Sequence, residues 1–162
     1  MEWPKRTRTA DWENGVLTLD GEKKFDIPEL TTEIMERLAG VIYAYENDTH
    51  CQKLCFEQDE YGDHRVVSVR TLGTSDDNNH QAITAPYVYM RLSSDGTTLG
   101  SYFSEDGKIW RMARLYKNDF PEKLLIGISS QSPKDNEHTC LFTEVSLTDK
   151  PVADFRKGNI AE

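Results

Sequence analysis

Punctuation is what most constrains this chain. Turn signals recur at short intervals, as Glu13-Asn14-Gly15, Asp20-Gly21, Tyr61-Gly62-Asp63, Asp95-Gly96 and Asp106-Gly107, and the segments between them are rich in Val, Ile, Tyr, Phe and Thr. Short β-prone runs separated by such dipeptides build sandwiches or barrels rather than helical bundles. The expected strands are 15–19, 38–46, 51–57, 65–71, 86–93, 98–104, 109–116, 123–131 and 139–147. No long linker, low-complexity tract or internal repeat interrupts them. A chain of 162 residues suits one domain with a sizeable core.

Side chains alternate across a strand, so each run can be sorted into two faces. Leu54 and Phe56 share one face, with Lys53, Cys55 and Glu57 on the other. Val88, Met90 and Leu92 oppose Tyr87, Tyr89 and Arg91, and Phe103 opposes Tyr102. One side of each strand is apolar and the other is aromatic and charged. Two sheets packed through their apolar sides satisfy that pattern.

Residues 26–40, DIPELTTEIMERLAG, read differently. An Asp cap, an early proline, apolar residues at Leu30, Ile34 and Leu38 and a closing glycine favour an amphipathic helix. A strand with Leu30, Thr32 and Ile34 inward is the alternative. Residues 98–116 read as a hairpin in which Asp106-Gly107 supplies the positive-φ turn, Ser104 and Asp106 bond nearby backbone, and Trp110 packs on the sheet.

Composition narrows the partners. Lys and Arg number 19 against 28 Asp and Glu, a net charge of −9, which repels phosphate backbones and anionic membrane surfaces. No apolar run reaches the ~20 residues that span a bilayer. The basic residues of MEWPKRTRTADW have no apolar stretch behind them, and the three cysteines show no paired spacing, so the expected location is cytoplasmic. Cys51 and Cys55 lie too far apart along a strand to bridge. His50-Cys51 and His138-x-Cys140 supply too few donors for a metal site. No Ser/His/Asp nucleophile motif or phosphate-binding glycine loop is present, and no cofactor is expected.

Longer strings carry a resemblance. KLCFE (53–57), VSV (67–69) followed by SDD (75–77), the strand ending in RL at Leu92, YFS-DG-W within 102–110, GISSQSP (127–133) with a later Phe-containing strand, and DFRKG (154–158) occur in family order. Together they resemble the concanavalin A-like domains of unknown function grouped with the fungal regulation-of-enolase protein. The resemblance implies an all-β concanavalin A-like jelly-roll sandwich of two antiparallel sheets, with a shortened N-terminal region. It also implies a strand, not a helix, leading into Ala39-Gly40.

The polar strand faces then suggest chemistry. Lys53, Glu57, Tyr87, Tyr89, Arg91 and Tyr102, joined by Asp76, Asp77 and Trp110, would form an aromatic platform flanked by hydrogen-bonding charges. Sugars need that combination, ring faces for C–H groups and ions for hydroxyls. The expected function is non-catalytic binding of a carbohydrate or small polar metabolite on the concave face. Three alternatives stay open. These polar faces can be plain solvated surface, in which Lys53 pairs with Glu57. A regulatory sandwich could dock on a metabolic enzyme. Glu57 with Asp76 or Asp77 could serve as a glycosidase pair. The oxygen-rich run Ser75-Asp76-Asp77-Asn78-Asn79 matches no 12-residue calcium loop and reads as a self-bonding turn.

Overall fold

The computed structural model describes residues 10–13, 16–19, 23–24, 39–122, 124–131 and 140–160. Every regular element among them is a β-strand. Strands β1 (Ala10–Glu13), β2 (Val16–Leu19) and β3 (Lys23–Lys24) pair antiparallel in that order, with Ala10 opposite Leu19 and Thr18 opposite Lys24.

Two larger sheets carry the fold. β4 (Ala39–Asn47), β5 (His50–Gln58), β6 (His64–Leu72), β7 (Thr74–Ala82) and β11 (Leu125–Gln131) form a five-stranded antiparallel sheet in the order β11-β4-β5-β6-β7. β8 (Tyr89–Ser94), β9 (Thr98–Ser104) and β10 (Arg111–Lys117) form a three-stranded antiparallel sheet in the order β10-β9-β8. The expected architecture of two antiparallel sheets is borne out.

The sheets meet through the residues that alternation placed inward. Leu54, Val66, Ile83, Phe103 and Ala113 form one buried cluster, lined by Ile42, Phe56, Val88, Met90 and Leu92. Removing each such side chain from water contributes about 2 kcal/mol. The opposite face of the five-stranded sheet has its own cluster of Val41, Cys55, Val67 and Val69, with Tyr43 against it. Cys55 therefore has the parity expected of it but sits among valines, so that face is apolar at its centre.

Some elements depart from expectation. The Asp/Asn-rich run 75–79, read as a turn, is extended within the edge strand β7, with Val69 opposite Asp77 and Arg70 opposite Asp76. Such residues are poor strand formers, yet polar side chains suit an edge because they discourage further pairing. The expected last strand at 139–147 does not form over 140–147. Its alternating pattern pairs with no strand among the described residues, and Glu144 turns the backbone to φ 53°, out of the extended region. Residues 26–38, where helix and strand competed, and residue 139 lie outside the described residues.

Phe103→Ala is expected to cost about 3–5 kcal/mol through the lost side chain and the cavity it leaves. Tyr61→Ala, at an exposed turn, is expected to be near neutral. Chemical denaturation of the two variants against the parent checks both.

Candidate functional site

The outer face of the three-stranded sheet is built from the polar positions of β8 and β9. Arg91 stands opposite Tyr102, and Tyr89 opposite Ser104. After β9 the chain enters the six-residue connection 105–110, longer than a tight hairpin turn. Asp106 fixes it, accepting N–H bonds from Lys108 and Ile109 at 2.8 Å each and the Ser104 hydroxyl at 2.9 Å. Those bonds hold its carboxyl below the usual range, led by the backbone donors. Gly107 takes φ +70°, a conformation that favours glycine, and the Tyr89 ring packs on it. The connection delivers Trp110 onto Arg91, with the guanidinium carbon 3.6 Å from the ring centroid. At this distance the cation–π attraction is strong.

A strap at the C-terminal side closes the other flank. Residues 152–159 cross β8 and β9, held by a bridge between Asp154 and Asn159, by Val152 N–H donating to Ser93 Oγ at 2.9 Å, and by the Tyr102 hydroxyl donating to the Phe155 carbonyl at 2.7 Å. Arg91 Nη1 donates to the Gly158 carbonyl. Gly158 has φ +71°, and a methyl group there would sit 2.5 Å from Tyr102 Cδ1. Tyr102, expected on a ligand platform, is fully buried under this strap, and burial, then Asp154, pushes its hydroxyl up to about 12.

Between connection and strap lies an open cleft of about 280 Å³, lined by Arg91, Lys108, Trp110, Asn159 and Ile160. Tyr89, at the start of β8, and Tyr87, two residues before it, form an edge-to-face pair, centroids 6.2 Å apart, and both are exposed. Four expected site residues, Tyr87, Tyr89, Arg91 and Trp110, thus share this side of the molecule.

The remaining expected residues lie elsewhere. Lys53 and Glu57 alternate with the inward Leu54 and Phe56, so they stand on the far face of the five-stranded sheet, away from the cleft. Asp77 shares their face, and Asp76 points the opposite way, where it meets Arg114 at 2.6 Å. The nine residues therefore occupy two sides of the sandwich and its edge. Burial raises the Glu57 carboxyl, and the Asp77 charge adds to that while the Cys55 thiol opposes it. Lys108, Asn159 and Ile160 escaped sequence reasoning. Only Lys108 had a signal, its place two residues before the singled-out tryptophan.

The domain of unknown function DUF1349 matches residues 37–150 of this sequence. The chain belongs to that family. No curated protein and no solved structure matches it. The DUF1349 match takes in both larger sheets and Arg91, Lys108 and Trp110, while Asn159 and Ile160 follow it. Among the described residues of this DUF1349 chain no helix is long and apolar enough to cross a membrane, and no group of three or more His, Cys, Asp or Glu is arranged to hold a metal.

A second polar cluster of this DUF1349 chain ties the two sheets together. His50 contacts Glu46 through Nδ1 at 2.6 Å and Asp119 through Nε2 at 3.0 Å, and its ring stacks on Phe120. Arg70 donates to both Asp119 oxygens and lies 4.4 Å from the Tyr116 ring centroid. Arg70 in the first place, and His50 after it, hold the Asp119 carboxyl below its usual range. Arg65 does the same for Asp59.

Carboxyls depressed in the folded state contribute stability that is complete above their unfolded value of about 3.9 and is lost as pH falls toward the folded values. The melting temperature should therefore drop below about pH 4, and Asp119→Asn should show a smaller acid-induced drop than the parent in calorimetric scans. Gly158→Ala should destabilise by about 1–3 kcal/mol, because it combines a strained backbone with the Tyr102 contact. Increased amide exchange at 153–159 would mark the strap as the element released.

Proposed function

We propose that this domain binds a carbohydrate or sugar-like metabolite, without catalysis, in the cleft between the 105–110 connection and the C-terminal strap. The observation that carries the reading is the Arg91–Trp110 stack lining an open cleft beside two exposed tyrosines. Aromatic faces accept the C–H side of a pyranose, and Arg91, Lys108 and Asn159 offer hydrogen bonds to hydroxyls. The cleft lies just under the size range of drug-like pockets, which suits one or two sugar units. Among the described residues its lining contains no carboxylate pair of the kind glycoside hydrolysis uses.

The concanavalin A-like grouping inferred from the sequence strings supports the same reading, since sandwiches of that kind occur as accessory domains of glycoside hydrolases. The absence of paired cysteine spacing in the sequence supports a cytoplasmic setting.

Titration calorimetry against a panel of mono- and oligosaccharides tests the proposal. Saturable binding is expected, weakened about tenfold or more by Trp110→Ala, which corresponds to about 1.4 kcal/mol. Absence of saturable binding across the panel, or binding indifferent to both Trp110→Ala and Tyr89→Ala, would discard it.

A further inference from the structure

We infer that the ligand of this cleft carries an anionic group, a carboxylate or a phosphate, set beside Arg91 and Lys108. The inference rests on the sugar-binding reading and specifies the class of sugar, an acidic one.

The handling of the other partly buried arginines among the described residues is the basis. Arg65 is closed by Asp59 and Asp63, Arg70 by Asp119, and Arg114 by Asp76. Arg91 is handled otherwise. It is partly buried, yet its contacts among the described residues are a neutral carbonyl at Gly158 and the face of Trp110, with no carboxylate in ion-pair range. Lys108 likewise forms no ion pair among the described residues. In a chain with 28 acidic residues, a cleft lined, among the described residues, by two cations and no acid is a local inversion of the overall charge.

Nearby carboxylates are already engaged. Asp106 is turned into the backbone amides of Lys108 and Ile109, Asp154 into those of Arg156 and Lys157, and Glu105 accepts from Gln81. Burial draws the Arg91 guanidinium below its usual value, opposed by Tyr102 and by no carboxylate among the described residues. An arriving anion would supply a counter-charge. At physiological salt the screening length is about 8 Å, so an anion in the cleft responds to Arg91 and Lys108 rather than to the net charge of the chain.

Calorimetry with trigalacturonate, glucose 6-phosphate, neutral maltotriose, glucose and inorganic phosphate, at low and high salt, tests the inference. Lys108 is exposed, so Lys108→Met leaves the fold intact, and a thermal melt verifies this. The expected result is that at least one acidic sugar binds tenfold or more tightly than the neutral ones. High salt and Lys108→Met should both erase that margin. Whether the uronate or the phosphate shows it identifies the source of the negative charge. Equal binding of acidic and neutral sugars, unmoved by Lys108→Met, overturns the anionic inference and leaves sugar recognition standing. Lys108-dependent binding of inorganic phosphate with no sugar bound keeps the anion site and discards the sugar. Silence from every probe overturns both.

Discussion

Interlocking of two sheets through Leu54, Val66 and Phe103 is the constraint on which the rest depends. Two-residue periodicity means that once these side chains are committed to the shared interior, their sequence neighbours are committed to the two outer surfaces. Lys53 and Glu57 then have to leave on one side and Arg91 and Tyr102 on the other. A site drawing on both sets would have to bridge the full thickness of the sandwich, two sheets about 10 Å apart plus the outward side chains. Splitting the expected platform is thus a consequence of the same alternation that suggested it.

Two non-strand segments fold back over the outer surface of the three-stranded sheet. The connection 105–110 is set by one carboxylate gathering backbone donors, and the strap 152–159 by a second carboxylate doing the same. Between them they convert a flat sheet face into a cleft. Concavity, aromatic surface and uncompensated positive charge coincide there, and each arises from a different stretch of chain.

Alternation made the interior legible. Leu54 with Phe56, Val88 with Met90 and Leu92, and Phe103 were all assignable from period two alone, and the hairpin 98–116 from its Asp-Gly pair. Strand β7 was not, because Asp76, Asp77, Asn78 and Asn79 disfavour extended structure locally. Pairing along β6 and the Arg114–Asp76 contact override that preference. The opposite error arose at 140–147, where alternation exists without a paired strand among the described residues, and Glu144 leaves the extended region. Tyr102 had the expected parity, but its burial depends on a strap more than fifty residues later, a relation no local pattern encodes. Lys108 was hidden by the same rule, since a turn lysine looks like solvent-facing surface until the cleft beside it is known.

One consequence follows from the bond between Arg91 and the Gly158 carbonyl. The same guanidinium that faces the cleft also clamps the strap, and the strap's Asn159, with Ile160 after it, contributes to the cleft wall. Occupancy and strap anchorage are therefore reciprocal: whatever free energy an occupant gains from a seated strap, the strap gains from the occupant. Were the cleft occupied as proposed, the occupant would register as a change in the persistence of the strap, with no alteration of sheet geometry.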